Sequence, residues 1–370
     1  MMMKSRGELP NWVDVGLIPL INLAVALIVS GLVVLIIGEN PFEAMWIMIE
    51  GSLGSLKGWG YMLYYATNFV FTGLAVAVAF HAGLFNIGGE GQAYMAGVGA
   101  ATVGLGLEWL PWPILLPLAI LASMAMGAFW AWIPGVLQAK RGSHIVITTI
   151  MFNFIAASLV GYLINYWFRP VGKMAVESRE ITGAYILSAR EVAREFFGVR
   201  IASSPLNFSV FLALVAAWAV WYLLWRTKLG YEIRALGANP AAAVYAGIRP
   251  DRIIIIAMTI SGALAGLMAV NEILGVQHRL LLGYVGGAGF VGIAVALMGR
   301  SHPVGILLAA MLFGLLYQGG SELSFAKPEI NRDMVVVIQG LVILFMGALE
   351  YAFRPALSAL FFPVGGEGNQ

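Results

Sequence analysis

The sequence predicts an all-α polytopic membrane protein of about ten transmembrane helices, arranged as two inverted five-helix halves with both termini in the cytoplasm. Three observations point there. Of 370 residues, 60% are hydrophobic and only 11% charged, against about 25% charged in an average soluble domain. The apolar residues fall in runs close to the roughly 20 needed to cross a bilayer core. Glycine-rich interruptions, "FNIGGEGQ" and "LGYVGGAGFVGIAVA", stand at corresponding places between the second and third runs of each half, as expected of broken helices around a transport pathway. The whole of 1–370 reads as one transmembrane domain, with halves at about 1–167 and 207–355, an external loop at 168–206 and a cytoplasmic loop at 226–252.

The first run, about 16–38, follows "MMMKSR". It is too long for the apolar stretch of a secretory signal and no A-x-A site follows it, so it reads as a retained helix. The stretch "PFEAMWIMIEGSLGSLKG", 41–58, reads as an amphipathic helix in the outer interface. Runs at about 62–80, 87–107, 112–136 and 145–167 complete the first half, and runs at about 207–225, 251–273, 284–299, 302–319 and 334–353 form the second. The short runs 284–299 and 302–319 also suit half-helices. Ten spans that begin inside end inside, and lysine and arginine should favour cytoplasmic loops. Eleven of the 21 then lie inside, four lie in short outer loops, and six belong to 168–206. Those six alternate with Glu177, Glu180, Glu191 and Glu195, as in a small folded external piece, and are set aside from the orientation count.

Irregular backbone at membrane depth needs protein or a water-filled cavity to satisfy its polar groups. Asn86, Glu90 and Gln92 of "FNIGGEGQ" are therefore candidates to line a path, Glu90 above all because a carboxylate among apolar runs is costly. The alternative is a cytoplasmic turn with Glu90 exposed. Asn153 in "TTIMFNFIAASL" could bond a solute hydroxyl or a neighbouring helix. Phe85, Tyr284 and Phe290 flank the interruptions, where a ring could stack on a solute or pack in the core; Phe290 joins the path candidates. Gly262 and Gly266 form a G-x-x-x-G packing pair. Asn271 and Glu272 are placed near the outer end of their run, in a solvated mouth.

Several function classes drop out. Cysteine is absent, which excludes disulfides, thiolate metal sites and cysteine nucleophiles. His81, His144, His278 and His302 show no local ligand spacing, so no metal is expected. A formal net charge of +2 gives no bulk attraction for nucleic acid. No lysine completes the phosphate-binding G-x-x-x-x-G-K-[ST], the nearest stretch being "GSLGSLKG", and no G-x-S-x-G occurs. Any ATPase is on another chain.

Between the sixth and seventh runs, "RTKLGYEIRALGANPAAAVYAGIRPDR" holds a short helix off the membrane. Asn239 suits the N-cap, Pro240 the first helical position, and Gly247 the left-handed stop. Two turns are unstable alone in water, so this helix needs a surface to dock on. "AAAVYAG", Ala241 to Gly247, resembles the E-A-A-x-x-x-G loop by which permeases of bacterial ABC importers fit a cleft in their ATPase, with Ala241 in place of the glutamate. Together with "FNIGGEGQ", "TTIMFNFIA" and "GAGFVGIAVALMGRSHPVGILLAAMLFG", it makes most of 60–350 similar to the permease subunits of nucleoside and simple-sugar ABC importers. The resemblance implies a transporter subunit rather than an enzyme, using alternating access. It implies coupling through Gly237, Asn239, Pro240, Ala242, Ala243 and Gly247 to an ABC ATPase that holds the ATP and magnesium. It further implies a second permease, hetero before homo, a substrate-binding lipoprotein outside, and multi-pass residence in the inner membrane of a bacterium or the cell membrane of an archaeon. An ion-coupled carrier of small polar solutes is the alternative, but it needs no docking helix. An intramembrane enzyme would want two acid/base groups at depth, and only Glu90 is well placed.

Overall fold

The computed structural model describes residues 13, 17–198, 202–331, 333–342, 344 and 345, and within these the regular structure is helical, with two isolated bridges. The helices are α1 (Ile18–Ile37), α2 (Pro41–Leu53), α3 (Leu56–His81), α4 (Gly89–Gly106), α5 (Trp112–Arg141), α6 (Ile145–Leu163), α7 (Ala189–Phe197), α8 (Ser209–Arg226) and α9 (Lys228–Ala238). There follow α10 (Pro240–Tyr245), α11 (Pro250–Ala269), α12 (Ala288–Met298), α13 (Pro303–Ala326) and α14 (Asp333–Val342). Helix α6 runs on into a π-helical stretch, Ile164–Phe168, and α11 into another, Val270–Gln277.

Six of these are long and apolar enough to cross a membrane, or seven if Ala24–Ile37 and Pro41–Leu53, bent by 115° at their break, form one span. The sequence reading of ten runs differs in particular places. Helix α4 carries six glycines in 18 residues, and α12 and the described part of α14 are short. The tenth run extends to 353, outside the described residues. One interfacial helix over 41–58 is not found. Helix α2 stops at Leu53 and α3 starts at Leu56, where Ser55 Oγ accepts from Gly58 N at 3.0 Å as the N-cap.

The chain divides into two compact units, residues 1–50 with 319–370, and 51–318. In the first, Val34, Ala44, Leu323, Ile330, Val335 and Ile338 form an apolar core. Lys327 Nζ bridges Glu39 Oε2 and Glu43 Oε1, each at 3.0 Å, and the hydrogen bonds it donates to these two carboxylates push the ammonium above the usual lysine range.

In the second unit α3 and α11 are central, with 83% and 67% of their apolar windows buried, whereas α5, α6 and α8 bury only about a third. The outward faces of those three, with Met151, Phe154, Phe211 and Trp218, are apolar and suit lipid. Small residues let α5 and α11 touch: a Cβ on Gly127 would meet Gly262 O and, at 3.2 Å, Gly266 Cα. Ser123 Oγ donates to Gly266 O at 2.9 Å across the same contact. The packing role read for Gly262 and Gly266 is what the structure has.

The described residues of 168–206 form a folded piece with its own helix, α7, opened by a Ser188–Glu191 capping box. It is strapped to the end of the α11 extension. Ser178 N donates to Leu280 O at 2.9 Å, Ile181 N to His278 O at 2.7 Å and Ile186 N to Leu274 O at 2.8 Å. The start of α3 belongs to this end of the molecule, since Gly60 packs on Ser204. At the far end of α3, Gly237 of α9 packs on His81 and Gly83. From Gly60 to His81 the helix rises about 1.5 Å per residue, which separates the two contacts by roughly 32 Å.

Candidate functional site

The break between α3 and α4 is built from small residues and amides. Gly83 takes φ 74°, a left-handed turn that a Cβ disfavours; Leu84 N closes the end of α3 on Ala79 O at 3.0 Å, Gly88 O opens α4 by accepting from Gln92 N at 2.9 Å, and residues 85–87 cross between the two helices. Side chains supply the missing partners. Asn86 Oδ1 accepts from Gly88 N at 2.8 Å, and Asn86 and Gln92 exchange two bonds at 3.1 Å. Asn86 Nδ2 also donates to Ser261 Oγ at 2.9 Å, and that hydroxyl donates to Ala75 O at 2.6 Å. From α6, Asn153 accepts from Gly91 N at 2.8 Å and donates to Ile87 O at 3.0 Å. Of the two roles open to Asn153, bracing another element is the one the structure displays.

Glu90 joins this break to the second one. It is 8% exposed, so the exposed-turn reading fails. Its Oε1 accepts from Gly287 N and its Oε2 from Gly289 N, each at 2.9 Å. These amides open α12, and a helix N-terminus leaves such donors unpaired and favours negative charge. The backbones also touch: a Cβ on Gly89 would lie 3.5 Å from Gly289 Cα, and one on Gly289 would overlap Glu90 N. The two glycine interruptions, about 200 residues apart in sequence, thus cross at one point. Phe290, the next residue, is half-exposed, while Tyr284 donates to Ala93 O on α4.

The cytoplasmic-loop candidates form a hairpin of α9 and α10. Thr227 caps α9 through Gly230 N at 3.0 Å and Asn239 caps α10 through Ala242 N at 3.1 Å, with Pro240 in the first turn. Ile248 N returns to Ala243 O at 3.0 Å and Gly247 takes φ 82°, the left-handed stop. Ala243 is buried and anchors the helix, while Ala242, Val244 and Gly247 are exposed, and Tyr245 is 96% exposed. Gly237 in the last turn of α9, Asn239 between the helices and Pro240 at the start of α10 are exposed.

A second polar cluster was not expected. Glu272 is 5% exposed and Asn271 1%, so neither sits in a solvated mouth; the π-helical stretch carries the helix to Gln277 and keeps both inside. Glu272 Oε1 accepts from Tyr64 Oη at 2.5 Å and Asn68 Nδ2 at 2.6 Å. Asn271 Nδ2 donates to Asn68 Oδ1 at 2.7 Å, and its Oδ1 accepts from Asn207 Nδ2 and Ser209 Oγ at 2.8 and 2.6 Å. Tyr65, Tyr317, Phe69 and Phe313 pack in that order as a run of rings nearby, with successive centroids 5.7, 4.9 and 6.4 Å apart. The available signal was an ionisable residue inside an apolar run. Among the described residues no three histidine or acidic side chains gather to hold a metal.

The family described as the permease component of the branched-chain amino acid transport system matches residues 59–347. The chain is 35% identical over 348 residues to the guanosine ABC transporter permease protein NupP of Bacillus subtilis, covering 93% of this chain and 96% of that one. It is 32% identical over 332 residues to the nucleoside ABC transporter permease protein NupB of Lactococcus lactis, covering 89% and 90%. It is 31% identical over 364 residues to the glucose ABC transporter permease protein TsgB13 of Haloferax volcanii, covering 98% and 94%.

Proposed function

This chain belongs to the family of permease components of branched-chain amino acid transport systems, and we propose that within it the chain moves nucleosides, with simple sugars the second reading. It is a multi-pass membrane subunit of an ABC importer, a transport component and not an enzyme. The substrate reading is carried by one observation: about a third of the residues are identical, over about nine tenths of the chain, to two permeases named for guanosine and for nucleosides. The permease named for glucose, at 31%, supports the sugar reading.

The path runs past the crossing of the two breaks. Asn86, Glu90, Gln92 and Asn153 form its polar wall, and Phe290 offers a ring face beside the Glu90 contact. About ten spans in two inverted halves, with both termini in the cytoplasm, remain the topology we favour. The placement of 168–206 and the α9–α10 hairpin at opposite ends of α3 supports it. The hairpin, with Gly237, Asn239, Pro240, Ala242, Ala243 and Gly247, would seat an ABC ATPase that carries ATP and magnesium. A binding lipoprotein would deliver solute at the 168–206 end. A second, similar permease would complete the path, in the inner membrane of a bacterium or the cell membrane of an archaeon.

Cells making the complete importer should take up labelled guanosine, and excess unlabelled uridine should compete more strongly than excess glucose or ribose. Competition in the reverse order would overturn the nucleoside reading in favour of the sugar one.

A further inference from the structure

Helix α12 is held at both ends by the two flanks of the 82–88 break. At its start, Glu90 of α4 accepts from Gly287 N and Gly289 N. Just past its end, His81 Nε2, the last residue of α3, donates to Ser301 O at 3.1 Å. That turn is strained: Arg300 and Ser301 take φ of 53° and 54°, left-handed values that non-glycine residues rarely hold unless their surroundings impose them.

The same flank receives the α9–α10 hairpin. Gly237 packs with its backbone against His81 O and Gly83 N, and a Cβ on Gly83 would lie 3.3 Å from Gly237 Cα. Trp225, at the end of α8, sits between the rings of His81 and His302 at 5.3 and 5.0 Å. Residues 81–83 are therefore touched by the hairpin on one side and hold the α12–α13 turn on the other.

We propose that the Gly83–Gly237 contact is the joint that carries displacement of the α9–α10 hairpin into the 82–88 break, releasing α12 at both ends as the gate of the path. This rests on the reading that the hairpin meets the ATPase. Movement of α9 shifts residues 81–83. The shift withdraws His81 from Ser301 and, through the short segment to Glu90, the carboxylate from Gly287 and Gly289. The left-handed turn at Arg300 and Ser301 can then relax. Glycine on both sides of the joint is required because a side chain on either would hold the two backbones apart.

The test uses amide hydrogen exchange on the full permease in complex with its own ATPase, without nucleotide and trapped with ATP and vanadate. Trapping should raise exchange at Gly287, Gly289 and the 299–302 turn by about tenfold or more, the range of a local opening. Amides at the α5–α11 crossing should stay unchanged, which also reports that the fold is intact. In Gly237→Ala, whose methyl would lie 2.8 Å from Gly83 N and overlap His81 O, exchange at the same amides should already be high without nucleotide. Protection in the hairpin that changes on trapping while the α12 amides do not would overturn the joint and leave the docking reading standing. No change in either place would overturn both.

Discussion

Glu90 brings a carboxylate into the interior, and two backbone amides at the start of α12 hold it there. Hydrogen bonds to a charged group contribute about 1.5 to 3 kcal/mol each, against about 0.5 to 1.5 for neutral ones. Glu90→Gln keeps the shape and leaves one acceptor oxygen for two donors, so it should weaken the link by about 1 to 2 kcal/mol, a factor of roughly five to thirty. The initial rate of guanosine uptake, at equal amounts of protein, should change by a comparable factor, and a wild-type rate would remove Glu90 from the path. Gln92→Leu acts differently. Asn86 keeps Ser261 and Gly88 as partners and loses only its exchange with Gln92, so a loss of stability near the lower end of the roughly 1 to 3 kcal/mol for an unpaired buried group is expected. A lowered melting temperature of the purified protein reads it. The sequence makes Glu90 conspicuous because charge is rare in its neighbourhood, but its partners lie about 200 residues away and no local pattern names them. Glu272 is as deeply buried, and misplacing the end of its helix by one turn was enough to put it in water.

Among the elements, α10 is the most legible, because its start and stop are set by local chemistry: Asn239 as cap, Pro240 in the first turn and Gly247 as the left-handed stop. Replacing Gly247 by valine forces a β-branched residue to φ 82°, a strain of about 1 to 2 kcal/mol or more. The permease should still insert in the membrane while its ATPase is lost on co-purification. Retention of the ATPase with unchanged substrate-stimulated ATP hydrolysis would show that this helix does not dock. Helix α12 is harder to read, since an 11-residue apolar helix and part of a full span look alike until the turn at 299–302 is seen. The contact of Gly83 with Gly237 is also silent in sequence, for two glycines announce close approach but not to what.

At the scale of the molecule, the apolar runs gave the membrane class directly, because length and hydropathy act residue by residue. The count was harder, since glycine breaks, bends and π-helical stretches divide apolar sequence without changing its composition. What organises the chain is polarity of position: one end of α3 carries the folded 168–206 piece and the other carries the α9–α10 hairpin. We propose that these ends face opposite sides of the membrane, so that solute arrives at one and the ATPase acts at the other. Absence of cysteine makes this directly measurable. Single cysteines at Met174 and Tyr245, each 96% exposed, would be probed in intact cells with a membrane-impermeant maleimide, in permease expressed without its ATPase. Met174→Cys should label from outside, and Tyr245→Cys only after the membrane is opened. Labelling of both in intact cells, or of Tyr245→Cys alone, would contradict the account.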